Sequence, residues 1–199
     1  MQKVFFVTAS IACGKSSFMQ IAKDKGYKTA SADEIAHKLL NEKKDEIYEL
    51  FKKELSKDEL IKNGQIDRKI LGKIVFNNKN KLKKLENFLH PKIKDEILKF
   101  IKENEKDTVF IELPLFFESQ RYQNLGYSLL IYAPKEVILN RLMKRDKINK
   151  DEAIKRISLQ MDIEKKREKA DFVIDNSSDL KNFKEACDLF FKELENESL

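Results

Sequence analysis

Three consecutive residues, Gly14-Lys15-Ser16, combine a backbone and side chains that can bind the phosphates of a nucleotide. Glycine lets a phosphate approach the backbone, lysine can neutralise the β- and γ-phosphates, and a serine hydroxyl can bind magnesium. The tripeptide comes soon after the segment at 3–7, which is apolar after Lys3 and typical of a strand, and a helical pattern begins at Ser17. A strand, a loop and a helix in this order provide the context of a P-loop, with phosphate at the helix N-terminus.

The first half of this loop departs from the usual P-loop pattern. Ala9 stands where the first glycine is expected, and Ser10 and Ala12 are small residues but not glycines. If Ala9 or Ala12 adopts a left-handed conformation, strain of about 1–2 kcal/mol weakens nucleotide binding without abolishing it. An ordinary strand-to-helix turn is the alternative interpretation. The P-loop interpretation predicts these ATP-binding residues: Ile11, Ala12, Cys13, Gly14, Lys15, Ser16 and Ser17.

Short runs of β-branched or aromatic residues predict strands at 3–7, 27–30, 109–113, 127–132 and 172–174. Apolar residues spaced three and four apart between these runs predict helices. Strands that alternate with helices favour a mostly parallel sheet covered on both faces. We therefore predict an α/β fold, with a three-layer α/β/α core around a mostly parallel five-stranded sheet.

Two connections are longer than this fold requires. The chain between 30 and 109 far exceeds the roughly dozen residues of a crossover, which indicates an insertion. Its helical patterns lie near 33–42, 45–55, 67–76 and 81–103, with predicted breaks at Asn63-Gly64 and His90-Pro91. A second helical excursion, rich in charge, runs from 145 to 169. We interpret the first excursion as a small helical subdomain.

Composition limits the classes of function. The 199 residues suffice for one domain with insertions, and 40 Lys and Arg against 34 Asp and Glu give a net charge of +6. Because the charges are interleaved, they suit a small anionic nucleotide as well as a nucleic acid. No apolar run has membrane-spanning length, and the N-terminus lacks the apolar segment of a signal peptide. We expect a cytoplasmic protein without nucleic acid or membrane partners; the oligomeric state is open, with a monomer as the expectation.

The two cysteines, Cys13 and Cys187, are too far apart in the sequence to indicate a disulfide framework or a metal site. A reducing cytosol fits this usage. Cys13 is interpreted as a small packing residue. The alternative is a thiol whose pKa is lowered by loop amides, by Lys15 and by the helix start, so that its alkylation blocks ATP binding.

Further motifs follow the loop along almost the whole chain, from 4 to 176. They are Ser31-Ala32-Asp33-Glu34-Ile35-Ala36-His37, Gly64-Gln65-Ile66-Asp67-Arg68, His90-Pro91-Lys92-Ile93, Glu112-Leu113-Pro114-Leu115-Phe116-Phe117-Glu118 and Ala170-Asp171-Phe172-Val173-Ile174-Asp175-Asn176. In this order and spacing, the set resembles the dephospho-coenzyme A kinase family. The chain differs from the family pattern at Ser31 and Glu112, where aspartate is usual.

The resemblance implies a P-loop core at 1–36, 107–144 and 170–199, a helical coenzyme A-binding insertion at 37–106 and a lid at 145–169. It also implies an activity. The γ-phosphate of ATP is transferred to the ribose 3′-hydroxyl of dephospho-coenzyme A, the last step of coenzyme A biosynthesis, with Mg²⁺ as cofactor.

The resemblance assigns the central roles to residues at the ends of strands. Asp33 orients or deprotonates the 3′-hydroxyl, although capping of a helix that begins at Glu34 is the alternative. Lys15 neutralises the transferring phosphoryl group, and Ser16 binds Mg²⁺, with Asp33 or Glu112 contributing through water.

Two arginines are candidates for the ATP phosphates. Arg141 and Arg145 are four residues apart and share one face of a predicted helix. Arg141 is assigned to ATP binding and Arg145, at the start of the lid, to catalysis; a solvated basic face is the alternative. The resemblance places Asn176 at the adenine of ATP.

Three further residues are candidates for binding the acceptor: Arg68, His90 and Phe117. The alternative for His90 is that His90-Pro91 marks a helix boundary. The alternative for Phe117 is a place in the core.

Two other functions remain open from the sequence. One is a P-loop kinase for another small molecule, such as a nucleoside monophosphate. The other is a nucleotide- or nucleic-acid-binding module without catalysis, for which a clustered basic stripe with interleaved aromatic residues would be evidence.

Overall fold

The structure, a computed structural model, describes residues 3–119 and 121–196. The chain forms two compact units, one made of Met1–Thr29 and Asn104–Leu199 and the other of Ala30–Glu103. The predicted division into a core, a coenzyme A-binding insertion and a lid stays a prediction about function.

Strands of the main sheet are separated by helices, as expected, and in the described chain helices also follow one another directly at 32–60, 68–103 and 135–169. The strands are β1 (Val4–Ala9), β2 (Lys28–Ser31), β3 (Ile61–Lys62), β4 (Gln65–Ile66), β5 (Val109–Glu112), β6 (Tyr127–Tyr132) and β7 (Phe172–Asp175). The helices are α1 (Lys15–Asp24), α2 (Ala32–Glu42), α3 (Lys44–Phe51), α4 (Lys57–Leu60), α5 (Arg68–Phe76), α6 (Lys79–Glu103), α7 (Phe116–Ser119), α8 (Lys135–Asp146), α9 (Lys150–Ser158), α10 (Ile163–Lys169) and α11 (Leu180–Glu195).

The predicted mostly parallel five-stranded sheet is confirmed. Its strand order is β2-β5-β1-β6-β7. The central strand β1 pairs in parallel with β5 and β6, and β6 pairs in parallel with β7. Because parallel strands end at one edge of a sheet, the residues that follow β1, β5 and β7 are brought to the same edge.

Stacked aromatic rings fix the two elements that flank the loop after β1. Phe5 of β1 stacks on Phe110 of β5 at 5.2 Å between ring centroids, and Phe18 of α1 stacks on Phe191 of α11 at 5.5 Å. All four rings are buried. Each such pair contributes about 0.5–1.5 kcal/mol beyond the burial of its area. The loop between β1 and α1 therefore has both ends anchored in the core.

The long helix α6 continues through Pro91, so the predicted break at His90-Pro91 is wrong. Proline lacks the N–H that bonds to the carbonyl four residues earlier, which destabilises a helix interior by about 3 kcal/mol. Each buried aliphatic side chain contributes about 1.5–3 kcal/mol, and α6 buries four of them, which outweighs the proline. These are Leu85, Leu89, Ile93 and Ile97.

No helix in the described ranges is both long and apolar enough to cross a membrane.

The predicted break at Asn63-Gly64 forms the turn of a small antiparallel ribbon, β3 with β4. Both turn residues have a positive φ, 51° for Asn63 and 76° for Gly64. Two positive φ values define a tight hairpin turn for which Asn-Gly is the favoured pair. The ribbon was not anticipated, because Asn63-Gly64 was interpreted only as a break between helical segments.

Candidate active site

The loop between β1 and α1 turns through two left-handed residues. Ala12 has φ 62° and Gly14 has φ 96°, and the Cys13 N–H donates to the Ser10 carbonyl at 3.2 Å. A non-glycine residue in this conformation carries strain of about 1–2 kcal/mol. Ala9, in contrast, lies within β1 and needs no left-handed conformation. The expected strain is therefore present at Ala12 and absent at Ala9.

Asn176, at the end of β7, holds the middle of this loop. Its side-chain amide donates to the Cys13 carbonyl at 2.8 Å, and its own N–H donates to the Tyr132 carbonyl at 2.7 Å. A Cβ atom at Gly14 would overlap the Asn176 amide nitrogen. Glycine at 14 is thus required both by its φ and by this close approach.

Lys15 is engaged by the carboxylate at the end of β5. Its Nζ lies 2.5 Å from Glu112 Oε1, and 15% and 19% of the two side chains are exposed. The register places Glu112 beside Val7 of β1, which explains the contact. The remaining solvent access limits the strength of this pair, which is typically worth about 1 kcal/mol or less at a surface.

The hydroxyls predicted to meet the nucleotide lie open to solvent. Ser16 and Ser17 are exposed in the first turn of α1, and that turn contains no acidic residue. An uncompensated helix N-terminus with exposed hydroxyl and amide donors suits an anion.

Cys13 is buried, with 1% of its surface exposed, and belongs to the core around β1 and α11. Burial raises the pKa of its thiol to about 11, and hydrogen bonds with the backbone of Ser10 and Ala133 only partly oppose this shift. The alternative of a lowered thiol pKa is therefore wrong. The side chain of Cys13 therefore belongs to the core, and only its backbone is left to the candidate phosphate site.

The two candidate arginines on α8 have different partners. Arg141 donates from Nη1 to the Asn176 carbonyl at 2.7 Å and from Nη2 to the Ser178 carbonyl at 2.8 Å. Arg145 is exposed and donates from Nε to Asp146 Oδ1 at 2.7 Å. Arg141 thus fixes the connection that also supports the loop through Asn176, whereas Arg145 pairs with its neighbour in sequence.

The α9–α10 turn and helix α10 contact the loop and its entrance through residues that were not predicted. Gln160 Oε1 accepts from the Ile11 N–H at 2.9 Å. Lys166 is fully buried, and its Nζ lies 3.0 Å from Glu118 Oε1 and 3.4 Å from the Ala9 carbonyl. Lys166 stands in a charge-rich run. The one sequence signal of its burial is the apolar Ile163, which lies three residues earlier on the same helical face.

In the second unit, Asp33 lies in the first turn of α2. The residue that caps this helix is Ser31, whose Oγ accepts from the Glu34 N–H at 3.4 Å. The capping interpretation of Asp33 is therefore wrong. Among the described residues, the exposed Asp33 carboxylate has no hydrogen-bond or ion-pair partner, which leaves it available to a ligand.

Arg68 and His90 also lie in the second unit. Arg68, the first residue of α5, approaches His37 Nε2 with Nη1 at 2.8 Å. Since a guanidinium only donates, His37 Nε2 is the acceptor. His90 lies within α6 and is partly buried.

The fourth acceptor candidate, Phe117 of α7, belongs to the first unit. Phe117 is buried, with 6% of its surface exposed. Its ring meets the Phe116 ring edge-on, with 5.2 Å between the centroids. This packing matches the alternative of a core residue, while a contact with the acceptor stays a prediction.

The donor set around the loop suits a hard cation only in part. The described residues contain no group of three or more His, Cys, Asp or Glu side chains that could hold a metal. Mg²⁺ prefers oxygen ligands and usually keeps several waters and phosphate oxygens. The Ser16 hydroxyl and the Glu112 carboxylate, which pairs with the adjacent Lys15, offer such a partial set, which a nucleotide and water would complete.

The fold and the loop define a class of protein. A central parallel strand that leads through a left-handed loop to a lysine and a serine at a helix start is the arrangement of P-loop phosphoryl-transfer enzymes. Residues 4–182 match the family model described as dephospho-CoA kinase. The chain therefore belongs to the dephospho-CoA kinase family, and it is an ATP-dependent kinase.

Individual relatives agree with this assignment. A dephospho-CoA kinase of Campylobacter jejuni strain RM1221 is 50% identical over 189 residues, covering 94% of each chain. A dephospho-CoA kinase of Helicobacter pylori strain J99 is 41% identical, covering 98% of each. A solved dephospho-CoA kinase from Campylobacter jejuni has a TM-score of 0.83 and 48% identity, and the match covers both chains completely. The resemblance is confirmed, and a module without catalysis is set aside.

Proposed function

We propose that this enzyme transfers the γ-phosphate of ATP to the ribose 3′-hydroxyl of dephospho-CoA, the last step of coenzyme A biosynthesis. The observation that carries the proposal is the loop itself. Lys15 and Ser16 stand at the start of α1, behind left-handed Ala12 and Gly14 and beside Glu112. Membership of the dephospho-CoA kinase family selects the acceptor.

The ATP phosphates are proposed to lie against residues 11–17 and to accept from their backbone amides other than those of Ile11 and Cys13, which donate to Gln160 and Ser10. An anion there gains both the amide donors and the positive end of α1. Lys15 would exchange Glu112 for the β- and γ-phosphates, which carry more charge. Arg145 would join it on the phosphates, and Arg141 and Asn176 would complete the nucleotide site.

Ser16 is proposed to hold Mg²⁺ together with phosphate oxygens, and Glu112, once released from Lys15, or Asp33 would bind a water of the ion. When bound, the ion supplies charge neutralisation for the transferring phosphoryl group. Every other contribution comes from the protein side chains and amides described above.

Asp33 is proposed to accept a hydrogen bond from the attacking 3′-hydroxyl. Phosphoryl transfer through a loose transition state depends on positioning more than on a strong base. An exposed carboxylate in the first turn of α2, without a partner among the described residues, supports this role. Arg68, His90 and Phe117 are proposed to bind the acceptor.

We further propose that 37–106 is the coenzyme A-binding insertion and 145–169 a lid, with 1–36, 107–144 and 170–199 as the nucleotide-binding core. Closing a lid excludes water, which matters because hydrolysis competes with transfer.

We also propose a cytoplasmic monomer that has neither nucleic acid nor membrane partners. Both Cys13 and Cys187 are unpaired by disulfides and buried, as suits a reducing compartment.

The test measures formation of coenzyme A and ADP from Mg-ATP and dephospho-CoA. Lys15→Ala is expected to lower kcat/KM by about 10²–10³-fold, and Asp33→Asn by a similar factor with little change in the KM for ATP. Glu34→Gln is the matched control for Asp33, because Glu34 is its exposed neighbour in α2. Full activity in Asp33→Asn would exclude the proposed role of that carboxylate.

A further inference from the structure

Lys166 of α10 is the only buried charged side chain among the described residues. Removing a charge from water is unfavourable unless an opposite charge and hydrogen bonds compensate. Lys166 has both kinds of partner. The Glu118 carboxylate lies 3.0 Å from its Nζ, and the carbonyls of Ala9 and Pro114 lie at 3.4 and 3.5 Å.

The carbonyls that Lys166 meets belong to the two segments that border the phosphate site. Ala9 is the last residue of β1, so its carbonyl belongs to the peptide bond that opens the loop. Pro114 follows β5, and its carbonyl also accepts from Thr8 Oγ1 at 3.0 Å. Lys166 thus joins the entrance of the loop, the connection after β5 and helix α10.

Glu118 extends this set of contacts to the turn between α9 and α10. The Oε1 atom that pairs with Lys166 also accepts from the Met161 N–H at 3.0 Å. Next to Met161, Gln160 accepts from the Ile11 N–H of the loop. One carboxylate therefore holds both the buried cation and the turn that contacts the loop.

The loop has a particular need for such support. Ala9 stands where such loops usually have their first glycine. Ala12 is held at φ 62°, a conformation that alanine disfavours. A strained loop keeps its shape only when its surroundings over-determine it. Asn176 holds the Cys13 carbonyl, whereas the Ala9 carbonyl depends on Lys166.

We propose that Lys166 and Glu118 form a positioning pair for the phosphate-binding loop. Lys166 orients the Ala9–Ser10 peptide. Glu118 fixes the positions of Lys166 and of the 160–161 turn relative to that peptide. The pair acts on nucleotide binding through the loop and does not touch the reacting atoms. This inference rests on the proposed binding of ATP by the loop.

The opposing explanation is that the pair only fills the core. A buried ion pair can often be replaced by apolar groups without loss of stability, whereas removal of one partner leaves a buried charge. Stability and nucleotide affinity therefore separate the two explanations. A purely structural pair changes both together.

The experiment compares Lys166→Met, Glu118→Gln and the double variant with wild type. ADP binding is measured by calorimetry, unfolding by thermal denaturation, and KM for ATP and for dephospho-CoA by steady-state kinetics. Lys165→Met is the control, because Lys165 is the exposed neighbour of Lys166 on α10. ADP binding requires no acceptor, so failure of the proposed transfer to dephospho-CoA would be seen separately.

In Lys166→Met we expect the Kd for ADP and the KM for ATP to rise about tenfold or more, as for loss of a hydrogen bond to a charged group. The KM for dephospho-CoA should change less than about twofold. The double variant should recover thermal stability but keep the weakened ADP binding, since the Ala9 carbonyl still lacks its donor. If Lys166→Met does not fold, the test uses Glu118→Gln alone. This variant should raise the KM for ATP and leave the KM for dephospho-CoA unchanged.

Three results would overturn the proposal. The first is ADP affinity in Lys166→Met equal to that of Lys165→Met. The second is a double variant that recovers ADP affinity together with stability. The third, which applies if only Glu118→Gln folds, is an equal rise in the KM for ATP and the KM for dephospho-CoA.

Discussion

The ammonium of Lys15 is paired with the carboxylate of Glu112 at 2.5 Å, so the cation of the phosphate loop already has an anionic partner. In the proposed binding mode, a nucleotide takes over this lysine from Glu112. The pair therefore opposes binding by the free energy of a partly exposed ion pair, about 1 kcal/mol or less.

Glu112→Gln tests this competition. We expect the Kd for ADP without Mg²⁺ to fall by up to about fivefold, because Lys15 no longer exchanges one anion for another. The gain should shrink in high salt, which screens the wild-type pair. Calorimetry at low and high salt measures both effects, with Glu136→Gln, an exposed glutamate in the same unit, as control. Weaker ADP binding in Glu112→Gln would contradict competition.

Gly14→Ala should damage the loop more than the same change at another left-handed glycine. Gly14 and Gly26 have φ 96° and 89°, but only at Gly14 does an added Cβ meet a neighbour, the Asn176 amide. Both variants carry strain of about 1–2 kcal/mol, and Gly14→Ala additionally displaces Asn176 from the Cys13 carbonyl. Urea denaturation should therefore show a larger loss of stability in Gly14→Ala than in Gly26→Ala, and calorimetry should show a loss of ADP affinity in Gly14→Ala alone. Equal ADP affinity in the two variants would disprove the steric account.

Glycine substitutions at Ala9 and Ala12 should change the free energy of unfolding in opposite directions. Ala12→Gly relieves a left-handed conformation, so the free energy of unfolding should stay equal or rise by up to about 1 kcal/mol. Ala9→Gly places glycine in the buried strand β1 and should lower it by about 0.5–1 kcal/mol. Because Ala12 already has the left-handed conformation that glycine would favour, ADP affinity should change less than about twofold in Ala12→Gly. A large gain in affinity would show that the loop reaches this conformation only on binding.

The cysteines should be unreactive in the native protein. Burial raises the pKa of Cys13 to about 11 and that of Cys187 to about 12. At pH 8 the thiolate fraction is therefore very small, and iodoacetamide should label neither residue until urea is added, as mass spectrometry would show. Rapid native labelling of Cys13 with loss of ADP binding would restore the reactive-thiol interpretation.

The same pKa shifts predict a pH dependence of stability. The unfolded thiols titrate near pH 9, and the folded thiols titrate higher, so the unfolded chain binds fewer protons in between. Their contribution is complete below about pH 9 and is lost as the pH rises toward 11. The free energy of unfolding should fall less steeply between pH 9 and 10.5 in Cys13→Ala/Cys187→Ala than in wild type. Identical slopes would count against the buried thiols as its source.

Much of the fold followed from local chemistry. The β-branched and aromatic run at 127–132 coincides with β6, because a buried parallel strand needs such side chains on both faces. Gly14-Lys15-Ser16 indicated the loop because few other structures need those three residues after a strand. The continuity of α6 through Pro91 did not follow, since it depends on burial of a face that local rules do not weigh.

Contacts between distant segments limited the prediction of the site. Glu112 meets Lys15 only because β5 lies beside β1, an order that the sequence pattern leaves open. Lys166 lies in a run of charged residues whose other members are exposed, so the composition of this run does not indicate which residue is buried. Both contacts arise from tertiary packing.

The most direct test of the central claim is acceptor choice by the purified wild-type enzyme. Mg-ATP is incubated with dephospho-CoA and, in parallel, with a nucleoside monophosphate, and the products are identified by mass spectrometry and phosphorus NMR. We expect ADP and coenzyme A carrying a 3′-phosphate, with little turnover of the monophosphate. Absence of coenzyme A, together with phosphorylation of the nucleoside monophosphate, would contradict the proposed function.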